Sequence, residues 1–132
     1  MKGKDRYRQN VGKRGEDEAV RYLKSKDYGI VERNFRAERG EIDIIAKDGD
    51  TLVFVEVKTK AHEGFGEPED WVDRRKQEQI GKVAMRYLQD KNLCGVDCRF
   101  DVVSVILKDG MKEIRHLEDA FWMESDSSES LY

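Results

Sequence analysis

The apolar positions of this chain follow a helical period in two places and alternate, as in strands, in the rest. After Glu16, the apolar residues Ala19, Val20 and Leu23 fall at i+3, i+4 and i+7. That spacing predicts a helix from about Gly15 to Lys26, ended by Tyr28-Gly29, with Glu16 at the head of its apolar stripe. A strand from Ile30 to Arg36 follows. Gly40 to Ala46 and Thr51 to Lys58 then read as two more strands, joined through Asp48-Gly49. Residues 61–68, rich in Gly and ending at Pro68, read as a loop. A second helix is expected over roughly Asp70 to Asp90, with the stripe Val72, Ile80, Val83, Ala84, Tyr87 and Leu88. Extending that stripe back by four residues from Ile80 reaches Lys76. Arg99 to Ile106 and Lys112 to Leu117 complete the pattern as strands about an Asp109-Gly110 turn. The predicted order is α-β-β-β-α-β-β, a mixed sheet flanked by helices, and the second helix is long enough to cross between parallel strands.

Within the central hairpin, Glu41, Asp43, Glu56 and Lys58 interrupt otherwise apolar strands. Charges so placed are costly unless they are paired or hold a metal. Alternation puts Glu41 and Asp43 on one side, and likewise Glu56 and Lys58. A two-residue Asp48-Gly49 turn pairs Lys47 with Asp50, which sets Glu41 opposite Glu56 and Asp43 opposite Phe54. A four-residue loop from Lys47 to Asp50 gives the same register. All four charges then share a face with Ile45, Leu52 and Phe54. Ile42, Ile44, Val53, Val55 and Val57 form the apolar face opposite. Facing carboxylates repel. A divalent cation between them would relieve that, and oxygen donors suit Mg²⁺ or Mn²⁺ better than zinc. Salt bridges at a sheet edge account for the same spacing equally well. Glu16 is a further candidate ligand or outer carboxylate; its plainer role is to complement the helix dipole.

Composition narrows the setting. A chain of 132 residues suits one domain with a real core. Although 40% of residues are charged, the apolar ones cluster in periodic runs, which indicates a folded protein. No apolar run approaches a membrane span, and Met1 to Arg6 lacks the apolar stretch of a secretory signal. Cys94 and Cys98, with no nearby histidine, are expected to be reduced thiols in a cytoplasmic protein. The net charge of −3 gives no bulk attraction to nucleic acid. Its distribution is uneven: residues 1–14 carry six Lys or Arg against Asp5 alone. These residues are expected to form a flexible basic arm able to track phosphates, ahead of a domain over residues 15–122 and an acidic flexible tail over 123–132. Arg99 and Asp101 share a strand face and read as a structural ion pair. His62 and His116 read as surface or satisfied residues. Trp71, Phe121 and Trp122 would be anchors for a protein partner if exposed.

The order Gly15-Glu16, Arg33-Asn34-Phe35-Arg36, Gly40-Glu41-Ile42-Asp43, Val55-Glu56-Val57-Lys58, Arg99-Phe100-Asp101-Val102-Val103 and Ala120-Phe121 resembles the bacterial YraN family over roughly residues 10 to 122. The core motif also resembles the PD-(D/E)xK nuclease superfamily, although Ile42 stands where a proline often precedes the Asp. The resemblance implies a restriction-endonuclease-like α/β fold and a metal-dependent nuclease acting on DNA, including branched DNA. By that resemblance Glu16, Asp43, Glu56 and Lys58 are the catalytic set. Asp43, Glu56 and the Val57 carbonyl would hold Mg²⁺ or Mn²⁺, with Glu16 and Glu41 nearby. Lys76, Thr59, Lys60 and Arg36 are candidate nucleic-acid contacts, with the loop at Gly64–Pro68 placed to close on substrate. Lys76 reads equally well as a lysine covering apolar surface. Related resolvases are dimers, which makes a homodimer the implied assembly. No small-molecule cofactor and no membrane are implied. The competing reading is a non-catalytic nucleic-acid-binding or protein-interaction module on the same fold.

Overall fold

The computed structural model describes residues 2–60 and 72–122. In chain order it has α1 (Lys2–Ser25), β1 (Gly29–Ala37), β2 (Gly40–Asp48), β3 (Thr51–Lys60), α2 (Arg74–Asp90), β4 (Cys98–Lys108) and β5 (Met111–Phe121). This is the predicted order. The strands form one five-stranded sheet, β1-β2-β3-β4-β5, in which only β3 and β4 run parallel. The parallel step is the one that α2 bridges, as a crossover helix must.

The two helices cover opposite faces of the sheet. Ala19, Val20 and Leu23 of α1 pack on Ile44, Ala46, Val53, Val55, Val103 and Val105. Ile80, Val83, Ala84 and Tyr87 of α2 pack on Ile45, Leu52, Phe54, Phe100 and Val102. Strands buried on both faces are almost wholly apolar, which explains the runs in β3 and β4. Phe54 stacks on Phe100 and Phe100 on Phe121, with centroids 5.4 and 4.9 Å apart. Phe121 is therefore core, whereas Trp122 is exposed. Trp71, His62, the Gly64–Pro68 loop and the acidic tail lie outside the described residues.

Three features depart from expectation. The first is that α1 starts at Lys2, so the basic segment expected as a flexible arm continues the first helix. Lys, Arg and Gln are good helix formers, and no proline interrupts them. The helix ends in a Schellman arrangement: Asp27 is left-handed (φ 67), Tyr28 N–H donates to the Leu23 carbonyl at 3.0 Å, and Asp27 N–H donates to that of Lys24 at 2.9 Å.

The second is that described helix α2 begins at Arg74, not Asp70. Asp73 is its N-cap, with Oδ1 accepting from Lys76 N–H at 2.8 Å.

The third is the β2–β3 register, which is displaced by two residues. The pairs are Asp48↔Thr51, Lys47↔Leu52, Ala46↔Val53, Ile45↔Phe54 and Ile44↔Val55. The two turn residues are Gly49 and Asp50 because Gly49 takes the left-handed conformation (φ 62). Asp43 is consequently level with Glu56, not Phe54. An even displacement does not by itself change a residue's side, yet Ile42 packs on the α2 side and not with Ile44, Val53 and Val55 as expected.

Candidate active site

Regular alternation stops at Asp43. Ile44 packs on the α1 side of the sheet, but Ile42 packs on the α2 side. On the neighbouring strand, Arg33 pairs with Ile44 and Phe35 with Ile42, and Asn34 between them has φ 53. One left-handed residue re-aims the strand at this level, and asparagine is a residue type that tolerates it. Beyond Ile44↔Val55, Val57 N–H donates to Asp43 Oδ2 at 2.8 Å. The Asp43 carboxylate thus accepts a backbone donor of the Glu56-Val57-Lys58 segment.

Glu56 is 7% exposed on β3, and two lysines face it. Lys58 Nζ lies 3.8 Å from Glu56 Oε2, and Lys76 Nζ, reaching over from α2, lies 3.6 Å from the same oxygen. The extended α2 stripe did point Lys76 inward, and it arrives beside a carboxylate. Both separations are long for charge-assisted hydrogen bonds, so Glu56 is neutralised by proximity without being tightly held. Burial, then the charge of Glu56, push the Asp43 carboxyl up to about 8; Glu16 and Glu41 add to the rise, and the Val57 N–H bond opposes it.

Asn34 joins the remaining two carboxylates. Its Nδ2 donates to Glu16 Oε1 at 3.1 Å and to Glu41 Oε2 at 2.6 Å. Arg33 lies 3.6 Å from Glu16 and bonds Asp17 at 2.8 Å, while Arg36 lies 3.6 Å from Glu41. Glu16 and Glu41 are therefore partly engaged by amide and guanidinium donors. The sequence marks Asn34 as part of a strand and of the Arg33-Asn34-Phe35-Arg36 motif, with no role at the site assigned to it. Thr59, expected near nucleic acid, packs under α1. A Cβ on Gly15 would come within 2.7 Å of Thr59 Cβ, so the glycine lets α1 pass directly over the end of β3. Lys60 follows on the same strand end.

The site brings Asp43, Glu56, Lys58 and Lys76 together, with Glu16 and Glu41 at its margin. Among the described residues, no three His, Cys, Asp or Glu groups converge closely enough to hold an ion between them. The donors whose chemistry would suit a hard divalent cation are the carboxylate oxygens of Asp43 and Glu56. The elevated Asp43 reflects its burial first and the neighbouring charge of Glu56 second.

Elsewhere, Asp101 is fully buried on β4. Burial opposes its ionisation, but bonds from His116, Arg99 and Asp119 N–H hold its carboxyl below the usual range. Arg99 is bidentate to it, at 2.9 and 3.0 Å, as the shared strand face suggested. His116 is the satisfied residue of the two alternatives expected for it: its Nε2 lies 2.7 Å from Asp101 and its Nδ1 3.1 Å from the Tyr22 hydroxyl. This network ties α1 to β4 and β5.

Residues 15–105, which carry Glu16, Asp43, Glu56 and Lys58, match the model of the uncharacterised protein family UPF0102. The chain belongs to the UPF0102 family. A UPF0102 protein of Geotalea uraniireducens is 49% identical over 123 residues, covering 92% of this chain and 97% of its own length. One from Persephonella marina is 46% identical over 110 residues, covering 83% and 91%. Another, from Geobacter sulfurreducens, is 47% identical over 112 residues, covering 84% and 88%. UPF0102 is the YraN family that the motif order suggested, and its model begins at the glycine over which Thr59 packs. No helix among the described residues is long and apolar enough to cross a membrane.

Proposed function

We propose that the chain is a metal-dependent nuclease that hydrolyses phosphodiester bonds in DNA, within the PD-(D/E)xK superfamily. The observation that carries this reading is the Asp43–Glu56 pair. Asp43 is pushed up to about 8 beside a buried Glu56, and two lysines approach without closing on it. An ordinary salt-bridge cluster would be expected to neutralise its carboxylates more fully. The element order and the crossover over α2 agree with a restriction-endonuclease-like fold.

In this reading Asp43 and Glu56 would hold Mg²⁺ or Mn²⁺, which when bound would supply Lewis acidity toward the phosphate and lower the pKa of a bound water. The Val57 N–H bond holds one oxygen of the Asp43 carboxylate, leaving the other without a backbone donor from that segment. Lys58 Nζ orients the attacking water and offsets the negative charge that grows on the phosphoryl oxygens. Lys76 Nζ supplies a second positive charge from the α2 side and neutralises Glu56 between turnovers. Glu16 and Glu41, tethered by Asn34, keep the site's margin acidic and well placed toward Asp43.

The test is incubation of the protein with branched, single-stranded and duplex DNA in Mg²⁺ or Mn²⁺. Asp43→Asn and Lys58→Ala are each expected to lower cleavage by about 100-fold or more. A wild type that cuts none of these substrates, or variants that cut as well as it does, ends the nuclease reading.

A further inference from the structure

The β1–β2 turn is built against its own residue preferences. Ala37 pairs with Gly40, leaving a two-residue loop of Glu38 and Arg39 with φ of 49 and 62. Left-handed torsions at both central positions favour Asn and Gly, and side chains such as Glu and Arg are strained there. The turn is nonetheless held firmly from α2. Gln79 Nε2 donates to the Glu38 carbonyl, and Arg86 pairs with the Glu38 carboxylate at 3.1 Å. Gly40 lies tight under the same helix, where a Cβ would come 2.8 Å from Gln79 Nε2 and 2.9 Å from Val83 Cγ2.

Of the three arginines of this hairpin, Arg33 pairs with Asp17 and Arg36 approaches Glu41. Among the described residues Arg39 has no hydrogen-bonded or ionic partner. It is exposed and lines an open groove of about 470 Å³ formed by residues 36–41. That groove includes Glu41, which Asn34 links to Glu16 at the margin of the acidic site. A strained, anchored turn thus presents a guanidinium that is unpartnered among the described residues beside the candidate active site. Strain retained at a rigid position is a reason to look for a ligand.

We propose that Arg39 binds a phosphate of the nucleic-acid strand, outside the scissile position, as that strand passes along the groove. The guanidinium fork matches phosphate oxygens, and Arg36 on the same groove adds to the positive charge while shielding Glu41. The inference rests on the nuclease reading for the identity of its ligand, but it concerns binding and not cleavage.

The experiment measures binding of fluorescein-labelled single-stranded and duplex DNA by anisotropy, in EDTA so that nothing is cut. Arg39→Gly removes the guanidinium and suits the left-handed torsion, so the variant should melt at or above the wild-type temperature. Its affinity at 100 mM salt should fall by about three- to tenfold, and its salt slope should lose about one unit. Arg39→Asn, equally suited to the turn, should repeat the loss, and Arg39→Lys should recover part of it. Unchanged affinity in both neutral variants overturns the inference, as does a wild type that binds no DNA or binds poly-glutamate as well as DNA. A wild type whose binding depends on Arg39 but that cuts nothing sustains this inference and sinks the nuclease reading. Cleavage with no dependence of binding on Arg39 does the reverse.

Discussion

Replacing Asp43 by Asn isolates the electrostatic tension at the centre of the site. The amide keeps an oxygen for the Val57 N–H, which Asp43 accepts at 2.8 Å, and removes the charge. In the folded protein the Asp43 carboxyl rises from 3.8 to about 8, chiefly through burial and then through Glu56. Between those values the folded chain keeps a proton that the unfolded chain has released. The stability carried by that proton is complete below the ordinary carboxylate range and is lost as pH rises to about 8. At about 1.4 kcal/mol per unit the whole interval has a ceiling of about 5–6 kcal/mol. Side-chain relaxation and the effective polarity of real interiors reduce this to about 1–3 kcal/mol. The assay is urea unfolding at pH 5, 6, 7 and 8, with stability extrapolated to water. At pH 5 the variant should lead by only about a quarter of its full advantage, because little more than one of the roughly four pH units between the unfolded and folded values has been crossed. By pH 8 the variant should be the more stable by about 1–3 kcal/mol. If the proposed metal site is right, added Mn²⁺ at pH 8 should stabilise the wild type more than the variant, because it would bind only the folded carboxylate pair. Parallel pH curves for the two proteins would refute the argument, since Asp43 would then bear no penalty from burial or from Glu56.

Two structural predictions complement the tests of Lys58 and Arg39. Gly15→Ala should cost about 1–3 kcal/mol in urea unfolding, because its Cβ meets Thr59 where α1 crosses β3; if nuclease activity is present, it should fall along with α1 docking, and an unchanged unfolding midpoint would show that the helix has room to move. Asp101→Ala should cost about 3–5 kcal/mol, because it strands Arg99 and His116 without their shared buried carboxylate. Since the Asp101 carboxyl is held low, its contribution exists above the ordinary carboxylate range and is lost as pH falls. The stability gap between this variant and wild type should therefore narrow in acid, and a gap that is constant from pH 7 to pH 3 would contradict the assignment.

Much of this fold is legible in periodicity. Strands buried on both faces, the Asp109-Gly110 turn with both residues left-handed, and the α2 stripe follow from local residue choice. So does the inward position of Lys76, because helical spacing carries over any residue on the face regardless of its charge. The common face of Glu56 and Lys58 needs only alternation, and it survived a register displaced by two because an even slip returns each side chain to its own side.

Distances, partners and exceptions to the period were decided in three dimensions. Ile42 and Ile44 pack on opposite faces where alternation breaks at Asp43, level with the left-handed Asn34 of β1, and no pattern of apolar and polar letters encodes such a break. Asn34 also links Glu16 with Glu41, residues 25 positions apart, by hydrogen bonds that exist only once α1 lies against the hairpin. His116, unremarkable in the sequence, becomes a buried partner of Asp101 and Tyr22 through the β4–β5 pairing. The rise of Asp43 likewise needs the burial and the neighbouring charge that packing alone creates. By itself the sequence determined the order of elements and which charges could meet, because both depend on local period. Their separations and their protonation were left to tertiary structure, because both depend on what the rest of the chain excludes from the site.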